Sequence, residues 1–243
     1  MISPERDAYG QEVFDYYQGE EGREIIERDD GFIGLSGGPM AYFEPFAEWS
    51  PKQQEAVQLA QGRCLDIGCG PGRVCLYLQG KGLDIVGIDN SPLAIHTAQL
   101  RGVRDARVMP VTQASRNTLG MFDTLIMFGS NFGLFGSAKR AKWLLRRFYH
   151  MTTEHGRILA ESRDIYQTDK PEHLAFHERN RQLGRMAGQL RIRVRYRNFI
   201  GPWFDYLMVS QAEMKDIVVG TGWRISRFIK DDGVDYTAVI EKE

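Results

Sequence analysis

The stretch CLDIGCGPGR, residues 64–73, places glycines at 68, 70 and 72 directly behind a short apolar run that contains a single acid, Asp66. Glycine takes left-handed backbone angles without a Cβ penalty and lets a ligand approach the main chain, so this pattern reads as a buried strand, a tight turn and a helix. Such a turn cradles a pyrophosphate, a nucleoside or nothing at all. The rest of the chain has to choose.

Downstream, apolar runs alternate with helical patterns. Arg63 to Ile67 and DIVGI from Asp84 read as buried strands, with a helix opening at Val74 between them. Ser91 and Pro92 are a helix start, serine as cap and proline in the first turn, and LAIHTAQLRG runs to Gly102. Ala106 to Val111 is a weaker strand, FDTLIMF from Phe122 a strong one, Lys139 to Met151 an amphipathic helix, and GRILAES from Gly156 the fifth strand. Buried strands separated by helices predict a doubly wound, mostly parallel sheet covered on both faces.

Beyond residue 163 the pattern changes. Residues 164–189 are polar and match no sheet element, LRIRVRYRNF alternates strictly, and WFDYLMV after Gly201 and Pro202 supplies a hairpin partner. Ser210 and Glu213 form a capping box at the head of SQAEMKDIVVG, and WRISRFIK with DYTAVIEK reads as a closing antiparallel pair. The first sixty residues carry aromatics among glycines and acids without clean periodicity, and short helices covering the ligand face are expected there.

With 31 basic and 32 acidic side chains in 243 residues, no global charge favours nucleic acid or an anionic membrane. Cys64, Cys69 and Cys75 are odd in number and lack a nearby histidine, which argues against a disulfide framework or a zinc site and fits a cytoplasmic protein. MISPERDAYGQEV carries charges where a signal peptide has its apolar core, and no apolar run reaches membrane-spanning length.

The glycine spacing is GxGxG, with Val74 where the dinucleotide fingerprint has its third glycine, and it disfavours a nicotinamide cofactor. Asp89 ends the second strand, where a carboxylate accepts ribose hydroxyls. Asp66 lies beneath the glycine turn, where an anion opposes a pyrophosphate but suits a ligand bearing an ammonium and a sulfonium. The series DIGCGPGR, IVGIDNS and FDTLIMFGSNFG resembles the motifs of class I S-adenosylmethionine-dependent methyltransferases, over residues 51–163 and again over 210–242.

That resemblance implies an α/β fold with a seven-stranded sheet and an antiparallel last strand, plus an N-terminal helical cover and an inserted β-hairpin lid. It implies one domain over 1–243, divided into a cover (1–50), a Rossmann-like core (51–163 and 210–243) and a substrate-side insertion (164–209). Asp66, Gly68, Cys69 and Gly70 would line the methionine half of S-adenosylmethionine, Asp89 the ribose and Asn90 the adenine edge. Thr112 or Gln113 would stand where the family often has an acid, and Gly129, Ser130 and Asn131 would face the methyl group. S-adenosylhomocysteine would be the product, with a small-molecule N or O nucleophile as acceptor.

The catalytic residue is open. His173 and His177, four apart, are candidates for a general base, beside Asn131. Tyr16, Tyr17, Arg163, Asp164, Arg193 and Arg195 are the substrate-side candidates. No metal is expected. Seven arginines between 179 and 197, with no acid among them, make one face of the Arg191–Arg197 strand cationic. RNA or protein docking on that face is the alternative, and a non-catalytic binding protein is a third. The loop GSNFG lacks the Asp/Asn-Pro-Pro-aromatic tetrapeptide of base amino-methylating enzymes.

Overall fold

A computed structural model describes residues 2–243. α1 (Ala8–Tyr17) leads to two short strands, β1 (Ile25–Arg28) and β2 (Ile33–Leu35). α2 (Pro51–Val57), β3 (Arg63–Ile67), α3 (Arg73–Gly80), β4 (Asp84–Asp89), α4 (Pro92–Leu100) and β5 (Ala106–Val108) come after them. Next are α5 (Arg116–Leu119), β6 (Phe122–Met127), α6 (Ala138–His150), β7 (Thr152–Arg163) and α7 (Pro171–Gln182). The chain closes with β8 (Gln189–Tyr196), β9 (Phe199–Ile200), β10 (Phe204–Leu207), α8 (Gln211–Val218), β11 (Trp223–Lys230) and β12 (Asp235–Lys242).

Seven strands hydrogen-bond in the order β11-β12-β7-β6-β3-β4-β5. The β3/β4, β4/β5 and β6/β7 pairs are parallel, and β12 is antiparallel to both β7 and β11. This is the expected doubly wound sheet. The weak third strand stops at Val108, because Pro110 leads the backbone into a 3-10 turn at Val111–Gln113. Among the described residues no helix is long and apolar enough to cross a membrane.

The second sheet adds two N-terminal strands where only short helices are expected. Its order is β10-β8-β1-β2, with β9 also paired to β8. The expected hairpin of β8 and β10 is joined by β1, with Ile25 paired to Arg195 and Arg28 to Ile192. Strands of four and three residues are too short to display a period of two, and only a distant partner makes them strands.

Two compact units are distinguishable. The first holds the chain to Trp49, Gln61–Ala114 and Ile192–Phe204. There Asp7 accepts from the Gly10 amide at 3.0 Å as cap of α1, and from Ser91 Oγ at 2.8 Å and the Leu93 amide at 3.1 Å at the head of α4. One carboxylate thus ties two helix N-termini together. The second unit holds Ser50–Ala60, Ser115–Arg191 and from Asp205 on. Its core is built on Phe122, Leu125, Phe135, Phe148 and Trp223, and the Trp223 indole donates to the Leu145 carbonyl at 2.8 Å.

The capping box at α8 is present: the Glu213 amide donates to Ser210 Oγ at 3.3 Å, and the Ser210 amide donates to Glu213 Oε2 at 2.8 Å. Ser210→Ala is expected to lower stability by about 1 kcal/mol in urea denaturation. No change in midpoint would mean that water replaces the cap at no cost.

Candidate functional site

In the first unit, β3 and β4 end side by side, Asp66 opposite Gly87 and Ile67 opposite Ile88. The glycine turn continues from β3, and Gly68, Gly70 and Gly72 all take positive φ, as a turn of this kind requires. A Cβ on Gly70 would lie 2.5 Å from the Tyr9 hydroxyl, so a side chain there would have to displace Tyr9 as well as adopt a positive φ.

Asp89 closes β4 with both carboxylate oxygens engaged. Oδ2 accepts from the Gly70 amide at 3.0 Å and Oδ1 from the Ser91 amide at 2.9 Å, which ties the glycine turn to the start of α4. Asp66 is buried and accepts from Cys75 Sγ at 3.4 Å. Desolvation pushes the Asp66 carboxyl up to about 7 and the Asp89 carboxyl up to about 6. These groups ionise most readily when a cation or hydrogen-bond donors arrive.

Cys69 is buried beside them, whereas Asn90, Thr112 and Gln113 are exposed. On α1, Tyr16 packs its ring 4.9 Å from Phe43, and Tyr17 is exposed. Arg193 forms a two-pronged ion pair with Glu27 at 2.8 and 2.9 Å, and Arg195 reaches the same carboxylate at 3.4 Å. Arg197 pairs with Asp15 and Glu20 at 2.9 and 2.6 Å. The face read as cationic is thus paired with acids from β1, from α1 and from the segment between them.

Two residues that carry no motif in the sequence stand out in this unit. Glu12 on α1 and Glu24 before β1 are both buried, and Glu12 Oε1 accepts the Glu24 amide at 2.7 Å. Tyr42 donates to Glu24 Oε1 at 3.3 Å, while Oε2 of each glutamate is buried without a hydrogen-bond donor.

In the second unit, the loop after β6 turns through Gly129 and Ser130 at φ of 70° and 61°, the latter a left-handed non-glycine residue. Asn131 opens the 3-10 turn Asn131–Phe135. The Gly129 amide donates to Glu161 on β7 at 2.5 Å, and the Tyr206 hydroxyl on β10 donates to the Ser130 carbonyl at 2.7 Å. Glu161, Gln53 and Tyr206 carried no signal of their own in the sequence beyond an acid inside the apolar run ILAES.

Arg163 is paired with Asp235 at 2.7 Å, and Asp164 accepts from the Tyr166 amide at 3.1 Å. Both histidines lie on α7. His177 is buried against the edge of Tyr166, and His173 Nδ1 sits 3.2 Å from Thr168 Oγ1. Among the described residues no group of three metal-ligating side chains occurs.

Residues 64–156 match the family described as "Methyltransferase domain". A ubiquinone biosynthesis O-methyltransferase of Bordetella avium (strain 197N) is 28% identical over 95 residues, 35% of this chain and 39% of that protein. The chain spans between 39% and 54% of the length of the curated relatives it matches. A methyltransferase from Bacteroides fragilis, solved with S-adenosyl-L-homocysteine, superimposes with a TM-score of 0.83 at 24% identity, over 100% of this chain and 98% of that one. The Burkholderia thailandensis 1,6-didemethyltoxoflavin-N1-methyltransferase, solved with its substrate and S-adenosylhomocysteine, does so with a TM-score of 0.50 at 15% identity, over 79% and 78%. Residues 64–156 thus match a methyltransferase domain, and the parallel order of the sheet with its antiparallel closing strands is the Rossmann-like fold of the S-adenosylmethionine-dependent methyltransferase on which the chain superimposes.

Proposed function

We propose that the protein binds S-adenosylmethionine and transfers its methyl group to a nitrogen or oxygen of a small molecule. The observation that carries this reading is the pair of buried acids at the glycine turn: Asp66 beneath it and Asp89 bonded to the Gly70 amide. An anion at Asp66 suits an ammonium and a sulfonium, and the side-chain-free backbone at Gly68 and Gly70 admits the ligand. Gly68, Cys69 and Gly70 would take the methionine half, Asp89 and Asn90 the nucleoside, and Thr112 or Gln113 the adenine edge.

When bound, the sulfonium supplies an activated methyl group with its leaving group in place. The chain's own work is alignment, worth up to about 7–11 kcal/mol in well-oriented reactions. Gly129, Ser130 and Asn131 would line the transfer side. His173 and His177 remain the general-base candidates for a nucleophile that arrives protonated.

Small-molecule acceptors are favoured because Arg193, Arg195 and Arg197 are committed to Glu27, Asp15 and Glu20, which weakens the Arg191–Arg197 strand as a dock for a polyanion. Residues 1–50 and 164–209 are the segments in which to seek acceptor contacts. The structural relative that acts on 1,6-didemethyltoxoflavin is consistent with this choice.

Calorimetric titration with S-adenosylmethionine, S-adenosylhomocysteine and NAD tests the reading. The two sulfur nucleosides are expected to bind, and Asp89→Ala to weaken both by at least about 100-fold, since the ribose contact and the tether to Gly70 go together. Binding of NAD alone would refute the assignment.

A further inference from the structure

Within the second unit, α6 carries five cations, Lys139, Arg140, Lys142, Arg146 and Arg147, and no acid, in a chain whose basic and acidic totals are 31 and 32. The remainder of the chain is therefore net acidic. Lys139, Lys142, Trp143 and Arg146 stand at i, i+3, i+4 and i+7 on one stripe of the helix, while Ala141, Leu144, Leu145 and Phe148 form its buried stripe.

Helix stability does not account for this arrangement. Lys139 and Arg140 are the second and third residues of α6, where the helix dipole opposes a cation, and Lys142 repels Arg146 one turn on. Counter-charge does not account for it either. Among the described residues, the Lys139 and Lys142 side chains have no ion pair or hydrogen bond, and Arg146 reaches only the Gly220 carbonyl, at 3.3 Å. The arginines of β8 differ, since Arg191 pairs with Asp205, and Arg193 and Arg195 pair with Glu27.

Apolar surface lies in the same place. Trp143 is 46% exposed with the Arg147 guanidinium 5.2 Å from its ring centre, and Val219, next to the Gly220 that Arg146 grips, is 68% exposed. Ser137, Lys139, Arg140 and Trp143 line an open recess at the head of the helix.

We propose that this face of α6 docks on an anionic phospholipid surface. Lys139 to Arg146 span about 10 Å along the helix axis, close to one screening length in physiological salt, so their charges act together on a plane of opposite charge. Trp143 and Val219 gain by leaving water for the head-group layer, where tryptophan is favoured. A single-stranded RNA would meet the same cations, but the stripe offers no amide side chain to read a base edge. The net acidity of the remainder disfavours adsorption through other faces. The inference does not depend on the proposed function.

Flotation of the whole protein with vesicles of phosphatidylcholine alone, and of phosphatidylcholine with one third phosphatidylserine, tests it. Binding is expected to the anionic vesicles only, weakening steeply with salt. Lys139→Gln with Lys142→Gln should lower the partition coefficient about thirtyfold, whereas Lys81→Gln with Lys230→Gln, the same loss of charge elsewhere, should change it by less than about twofold. Lys139→Arg with Lys142→Arg should retain binding, and melting curves establish that each variant is folded. Trp143→Ala should weaken binding at high salt as well as low, because burial of an indole is not screened. Equal binding to both vesicles, binding to neither, or an undiminished partition in the folded double glutamine variant of α6 would overturn the inference. Salt-dependent binding to a single-stranded RNA oligonucleotide in place of vesicles would assign the face to nucleic acid and overturn it too.

Discussion

Glu12→Gln is expected to stabilise the protein at alkaline pH, although it removes a buried charged residue. Glu12 and Glu24 are buried together, and one oxygen of each lacks a donor, an arrangement that two ionised carboxylates tolerate poorly. Desolvation first, and then the charge of Glu24, raises the Glu12 carboxyl above its ordinary range; desolvation raises Glu24 as well. A carboxyl raised in the folded state holds a proton there that the unfolded chain has already lost. The resulting stability is complete below the ordinary carboxylate pKa and drains away as pH rises through the raised value.

Each pH unit in that interval costs about 1.4 kcal/mol for one proton. Glutamine imitates the protonated form at every pH. Between pH 6 and pH 9 the wild-type melting temperature should therefore fall by several degrees more than that of Glu12→Gln, with the variant the more stable at the upper end. Thermal melts across this range would sink the idea if the variant were less stable throughout with the same slope.

S-adenosylmethionine binding should weaken steeply in acid. Asp66 titrates at about 7 and Asp89 at about 6 in the free protein, both through desolvation. A cationic ligand binds the ionised carboxylates, so protons compete with it below those values. One group costs up to about tenfold per pH unit and the two together up to about a hundredfold, which gives roughly a thousandfold loss between pH 8 and pH 5. Asp66→Asn should bind weakly at pH 8 but show a flatter dependence, with only the Asp89 contribution left. Affinity that is constant from pH 8 to pH 5 would mean that neither carboxylate meets the ligand.

The parts of the fold that were legible are those whose information is local. The alternation from β3 to α4 shows in apolar runs, in the Ser91–Pro92 start and in glycines whose positive φ the turn demands. Asp66 and Asp89 were readable because each acid stands at the end of an apolar strand. The arginine strand misleads for the opposite reason: Glu27, which neutralises it, lies 166 residues from Arg193. Glu161 escapes notice because one acid in a strand looks like a solvent-facing position, and its donor Gln53 is 108 residues away. Short β1 and β2 had no periodic signature at all.

That long separation governs how the chain can mature. β1 leaves a ribosome early, but its partner β8 is synthesised only after all of β3 through β7. Loop-closure entropy must be spent before the pairing of Ile25 with Arg195 returns any energy. The segment with the apolar Ile25 and Ile26, paired only to the short β2 on one side, therefore spends most of synthesis with its other edge open. It is the part of a nascent chain that most needs shielding from other chains.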